Sequence, residues 1–256
     1  MEKSRIEWTD STWNPITGCD KVSNGCEHCY AEVMAERLNA MGSPRYHNGF
    51  ELTIHEELFD QPLRWKRPRK IFVNSMSDLF HEKVPLAVIE KIFDTMNKAH
   101  WHQFQILTKR ATELLTYSTR LTWTPNIWMG VTIESARYLH RLKALARVPA
   151  SVRFVSFEPL LSDIPLSTDL RGIDWAIVGG ESGPQARSMD PQWVYHLKEI
   201  CERDGVAFFF KQWGGIHKRE TGRRLDGKTW DALPTPRNVE PIAVMGKRIH
   251  TSQKSL

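Results

Sequence analysis

Three of the four cysteines in this 256-residue chain, Cys19, Cys26 and Cys29, fall in a C-x6-C-x2-C arrangement. Four cysteines in a chain this long do not make a disulfide scaffold, and their clustering points to metal binding. The loop that carries them contains Gly18 and Gly25, which permit unusual dihedrals and close backbone approach. It runs directly into a helical pattern that ends at Gly42, with Val33, Met34, Leu38 and Met41 as the expected inward face. Two kinds of centre fit. Three thiolates leave one iron of a [4Fe-4S] cluster without a protein ligand, and such an iron can take a substrate or cofactor. The same thiolates with one histidine make a Cys3His zinc set. His28 is the nearest donor, although coordination beside Cys29 is sterically awkward, and His81 is another. Cys201 falls on the apolar stripe of a later helix and is expected in the core.

A second set of reactive side chains closes a series of short apolar runs. Candidate strands cover 12–17, 70–75, 103–108, 127–132, 153–157, 175–178 and 206–210. Runs such as FQILT, RFVSF and WAIVGG are rich in Val, Ile and Phe without clean alternation, which suits strands buried on both faces of a parallel sheet. Their ends carry Asn74, Ser75 and Asp78; Thr108, Lys109 and Arg110; Thr132 and Glu134; Glu158; Glu181; Lys211 and Gln212. Taken singly, each of these is equally a helix cap or a loop charge. Together they favour one site at a barrel mouth, because polar groups from six strands converge only there.

Between the strands lie amphipathic helical patterns at 85–100, 135–147 and 191–204. The second should turn Leu139, Leu142 and Leu145 inward and Arg137, Arg141 and Arg147 mostly outward. The third places Trp193, Leu197, Ile200 and Cys201 together before Gly205 closes it. The expected class is therefore α/β: a full or partial (β/α) barrel with parallel strands, a short C-terminal hairpin at Asp226 and Gly227, and a tail. Residues 1–215 form the barrel-like domain with its N-terminal cluster loop, and 216–256 a basic extension. That extension holds the whole net charge of +5, with nine Lys or Arg against four Asp or Glu. A basic tail can meet nucleic-acid phosphates or be a solvated end. Ten tryptophans suit base stacking, but burial accounts for most of them more simply. No apolar run approaches the roughly 20 residues that span a bilayer. The amino terminus lacks the apolar stretch of a signal peptide, so a cytoplasmic protein without membrane contact is expected.

A three-cysteine loop after the first strand, followed by a helix and a parallel (β/α) series, resembles the radical S-adenosylmethionine superfamily. More closely, WTDSTWNPITGC, CEHCYAE, SMSDLFH, LTKR, VSFEPLL, IVGGESG, FFFKQWGG and LDGKTWDALP together are similar to a phage and bacterial three-cysteine-motif family, loosely related to spore photoproduct lyase, over residues 6–234. The resemblance implies a [4Fe-4S] cluster on Cys19, Cys26 and Cys29, S-adenosyl-L-methionine, an external electron donor and a 5′-deoxyadenosyl radical that abstracts hydrogen from substrate. It implies adenine packing by His28 and amino-group binding by Ser75, Ser77 and Asp78. The Gly-Gly-Glu usual at that strand is missing; Gly179, Gly180 and Glu181 occur instead after the sixth strand, where they either approach the cofactor or form a plain turn. Thr132, Glu134 and Glu158 are candidates for ribose hydroxyls or substrate polar groups, and Lys109, Arg110 and Lys211 for a carboxylate or phosphate. The usual superfamily spacing is C-x3-C-x2-C, so the first gap here is longer. The substrate class implied is a nucleic acid or nucleotide. The competing readings are a zinc-stabilised nucleic-acid-binding protein without catalysis and a cluster protein that only senses redox state.

Overall fold

The computed structural model describes Ser4 and residues 6–236. The last part of the expected tail, 237–256, lies outside the described residues. In chain order the elements are β1 (Ser11–Trp13), β2 (Ile16–Thr17), α1 (Tyr30–Ala40), β3 (Thr53–Ile54), β4 (Lys70–Val73), α2 (Leu86–Lys98), β5 (Gln103–Thr108), α3 (Ala111–Ser118), β6 (Ile127–Thr132), α4 (His140–Leu145), β7 (Val152–Phe157), β8 (Trp175–Gly179), α5 (Pro191–Asp204), β9 (Ala207–Gln212) and α6 (Lys218–Thr221). Seven strands pair in parallel in the order β1-β4-β5-β6-β7-β8-β9. The order never reverses. A doubly wound sheet must reverse at its switch point, whereas successive right-handed crossovers in one direction put the helices on one face and curl the sheet into barrel winding. No ladder joins β1 to β9 among the described residues, so the barrel is partial.

Alternation along the strands gives the sheet two apolar faces. In β6, Ile127, Met129 and Val131 join the layer under the helices, while Trp128 joins the concave face, and every residue of the strand is buried. The lower part of that concave face is packed with Trp8, Trp128, Phe154, Trp175 and Phe209. Trp8 stacks edge-on against Phe72 and Trp175 at centroid distances of 4.7 and 6.1 Å. A Cβ at Gly130 would meet the Phe154 ring at 2.4 Å, so glycine there makes room for the plug. One end is thus filled by aromatics, with Gln105 among them donating to the Trp8 carbonyl at 3.4 Å, and the charged residues at the strand ends lie at the C-terminal mouth. All ten tryptophans are buried or packed against a core cluster, in agreement with burial and not base stacking.

Several expectations are corrected. The strand at 12–17 is two elements: β1 joins the main sheet, while β2 pairs antiparallel with β3. Pro15 between them has no N–H to continue a ladder. In α1 the buried residues are Ala31 and Ala35, whereas Val33 and Met41 are 64% and 71% exposed. The segment 135–147 contains a 3-10 turn and then the short α4, and its Arg141 is buried. The expected hairpin is a tight turn at Asp226 and Gly227 with a single bridge, Leu225 to Lys228. The described part of the extension is integrated with the barrel: Leu225 is in the core, and Asp231 bridges Phe209 on the free edge of β9. That contact covers part of an edge otherwise open to further pairing.

Candidate functional site

The cysteine loop begins where β2 meets the chain after β4. Gly18 donates to the Met76 carbonyl at 2.9 Å and bridges Ser77, and its φ of +83° leaves a would-be Cβ 2.2 Å from the Glu51 carbonyl oxygen. Only glycine fits that approach. The loop then makes a 3-10 turn at Asn24–Cys26, and Cys29 occupies the N-cap position of α1. The three thiols are each partly buried.

Three arginines fasten this loop, one after β5, one on α4 and one after β8. Arg110, after β5, is 5% exposed; its Nη1 lies 3.4 Å from Cys19 Sγ and its Nη2 donates to the Asp20 carbonyl at 3.1 Å. Its Nε donates to Glu82 at 2.8 Å, and Asp78 stands 3.4 Å from Nη1. Arg141, on α4, donates from Nη1 to Glu134 Oε2 at 2.8 Å and to the Thr132 carbonyl at 2.7 Å, with its guanidinium 4.3 Å above the Tyr138 ring. Glu134, completely buried, accepts a close hydrogen bond from the Ser23 hydroxyl of the cysteine loop. A Cβ at Gly25 would collide with Glu134 Cγ at 2.5 Å, so the loop lies directly on this side chain. Arg187, after β8, donates to Glu27 at 2.7 Å, to the Asn24 carbonyl at 2.9 Å and to Glu181 at 2.6 and 2.9 Å.

The remaining residues singled out in the sequence fall around the same mouth with defined partners. His28 Nδ1 lies 3.1 Å from Glu181 Oε2. Burial works against the Glu181 carboxylate, but hydrogen bonds from Arg187 and His28 outweigh it and take its pKa down to about 2. Ser75 donates to Asn14 at 3.1 Å and Ser77 to the Ile16 carbonyl at 3.0 Å, stitching this turn to the first two strands. Asp78 accepts from the Thr108 hydroxyl at 2.7 Å and from the backbone of Phe80 and Lys109 at 3.0 Å each. Lys211 donates to Glu158 at 2.6 Å, and the Lys109 ammonium is 3.9 Å from Glu134. A Cβ at Gly180 would lie 2.0 Å from the Trp213 carbonyl oxygen, so its missing side chain is filled by neighbouring backbone; Gly179 borders Glu158 and Lys211. Arg187, Ser23 and Tyr138 were not among the expected site residues. The contacts that bring them into the site, Ser23 to Glu134, Asn24 to Tyr138 and Arg187 to Asn24, span 111 to 163 residues in sequence, and no local pattern marks them.

The thiols can be tested against the two kinds of centre. Tetrahedral zinc with bonds near 2.3 Å brings its ligand sulfurs to about 3.8 Å from one another. Among the described residues, the ligand atoms of Asp20, His81 and Glu82 lie within 4.8 Å of one another, whereas the three cysteine sulfurs do not form such a group. By donor chemistry, three thiols on one loop fit a cluster that keeps one iron open. The Asp20, His81 and Glu82 group is already neutralised, by Lys83 at 2.8 Å from Asp20 and by Arg110 at 2.8 Å from Glu82. Burial and Asp78 push the Cys19 thiol up to about 11 against the pull of Arg110. For Cys26, burial is outweighed by Lys109 and by hydrogen bonds from Val22 and Ser23, and its pKa falls below the ordinary value.

Fold and site together define an open (β/α) half-barrel with a three-thiol loop clamped over its C-terminal mouth. The family model described as "Protein of unknown function (DUF5131)" matches residues 3–234, and the chain belongs to that family. No curated protein matches the sequence. Among solved structures, a cysteine-to-serine mutant of spore photoproduct lyase is similar with a TM-score of 0.48 and 15% identity, over 79% of this chain and 62% of that one. A double mutant of the same lyase, with bound AdoMet and dinucleoside spore photoproduct, gives 0.44 and 14%, over 75% and 60%. The chain thus spans less than two thirds of the length of these lyase chains. No helix among the described residues is long and apolar enough to cross a membrane.

Proposed function

We propose that this chain is a radical S-adenosylmethionine enzyme in which Cys19, Cys26 and Cys29 hold a [4Fe-4S] cluster with one iron left for S-adenosylmethionine. The observation that carries this reading is the setting of the thiols. They share one loop over the mouth of a parallel half-barrel, fastened by Arg110, Arg141 through Glu134, and Arg187. Bound there, the cluster would supply the electron that splits the cofactor into methionine and a 5′-deoxyadenosyl radical.

The chain's own part is positioning. Glu181 orients His28, which we assign to the adenine. We assign Ser75, Ser77 and Asp78 to the side of the cofactor's amino group, and Thr132, Glu158 and the Gly179–Glu181 turn to its ribose and surroundings, while Glu134 holds the cysteine loop. Lys109 and Lys211 are the cations for an anionic substrate, and an external donor supplies the electron. The substrate class we assign is a nucleic acid or nucleotide, supported by the net charge of +5 concentrated after residue 215.

Anaerobic reconstitution with iron and sulfide tests the reading. The expected result is about four irons per chain, a visible band bleached by dithionite, and 5′-deoxyadenosine formed from added cofactor. Colourless protein that holds one zinc would overturn it.

A further inference from the structure

We infer that Arg110 is a positioning residue that sets the electron affinity of the cluster from the Cys19 corner, and is not a substrate-binding group. The inference rests on the cluster reading above and adds to it which corner the protein tunes. Every part of the Arg110 fork is committed inside the protein: Nε to Glu82, Nη2 to the Asp20 carbonyl, and Nη1 between Asp78 and Cys19 Sγ. The side chain is 4% exposed, and its own backbone N–H donates to Thr108 Oγ1 at 2.9 Å. Thr108 in turn donates to Asp78, so the guanidinium, the carboxylate and the strand end form one locked unit. Swinging Arg110 out to a substrate would leave the buried Asp78 carboxylate without its counter-charge, which breaking a buried pair makes costly.

The thiols are treated unequally. Cys26 Sγ meets the Ser23 hydroxyl at 3.6 Å and feels the Lys109 charge only through space, whereas Cys19 Sγ has a guanidinium N–H at 3.4 Å. Reduction takes one electron from the external donor and adds one negative charge beside Arg110. An N–H donor and positive charge at a ligand sulfur favour the more negative state, and hydrogen bonds to cluster sulfurs are among the known determinants of potential. Arg110 keeps its charge throughout, because guanidinium does not deprotonate in proteins.

The test is an EPR-monitored dithionite titration of the reconstituted full chain, with iron and sulfide counted first. In Arg110→Gln the ratio of reduced to oxidised cluster at a fixed poise should fall about tenfold, which is a midpoint roughly 59 mV lower for one electron. Arg110→Lys, which keeps charge but loses the fork, should fall between. Arg187→Gln, which loosens the same loop without touching a sulfur, should titrate close to the parent. If Arg110→Gln loads poorly, the Arg110→Lys midpoint decides. Unshifted midpoints in loaded Arg110 variants overturn the inference, as does an equal shift in Arg187→Gln. Loss of the cluster from both Arg110 variants assigns the residue to holding the loop and overturns tuning. Parent protein that takes up no iron sinks the cluster reading itself, an outcome separate from all of these.

Discussion

Arg141 reaches back from α4 to Glu134 with Nη1 2.8 Å from Oε2, and both side chains are buried. The same carboxylate takes the Ser23 hydroxyl, so one buried ion pair joins α4, on the crossover from β6 to β7, to the cysteine loop. Removing one member of such a pair leaves an uncompensated charge in the interior. Arg141→Met should therefore lower stability by about 3–5 kcal/mol. In denaturant unfolding, the double variant Arg141→Met with Glu134→Leu should lose less than the sum of the two single changes. Strict additivity would show that the pair is not coupled.

The loop's anchors are protein groups, which separates its order from metal binding. Most small metal sites are formed only on binding. Here the segment 23–27 is already tied by Arg187 to the Asn24 carbonyl and Glu27, by Ser23 to Glu134, and by its own backbone bonds from Cys26 and Glu27. Hydrogen exchange of metal-free protein should show slow amides across this segment, and Arg187→Gln should speed them. Fast exchange in the unaltered metal-free chain would contradict preorganisation.

Cys201 is fully buried on α5, with its thiol pushed up to about 12 by burial. It has no role in the centre, so Cys201→Ala should keep the parent iron content while losing some stability to the vacated volume. Cys26→Ala should lose most of the iron. Equal iron in both variants would count against the three-thiol assignment.

Glycine at 180 is required by backbone contact: an added Cβ would sit 2.0 Å from the Trp213 carbonyl, while at Gly179 the nearest atom is 3.4 Å away. Gly180→Ala should cost about 1–3 kcal/mol or more, as overpacking does, and Gly179→Ala should cost less. Thermal melts of the two variants check the order.

Buried histidines set an acid limit on stability. Burial lowers the pKa of His102, whose Nε2 lies 3.1 Å from the Pro62 carbonyl, and of His55, whose Nε2 lies 2.8 Å from Thr17 Oγ1. The unfolded chain then binds more protons than the native one below the ordinary value of 6.5. Their contribution is therefore complete above that pH and declines as pH falls toward the lowered native values. The urea midpoint should drop between pH 7 and pH 5, and His102→Gln should flatten that drop. An unchanged slope would remove His102 from the account.

The sequence by itself determined the elements and the chemistry of the donor set. Strands 103–108 and 127–132 and helix 191–204 appear with the expected bounds, because runs of apolar residues and the Pro191 and Gly205 boundaries are local signals. The three cysteines and the polar strand ends were likewise visible as residue types at fixed spacing. Tertiary structure decided which of those groups are spent on holding the site together. Arg141 looked like a solvent-facing helical residue and is buried on Glu134; Arg110 looked like an anion binder and is locked on Asp78, Glu82 and Cys19. Whether the sheet closes also depended on pairing between its two ends, β1 and β9. A charge is recognised from its residue type alone, but its role depends on a partner that only the folded chain brings within hydrogen-bonding distance.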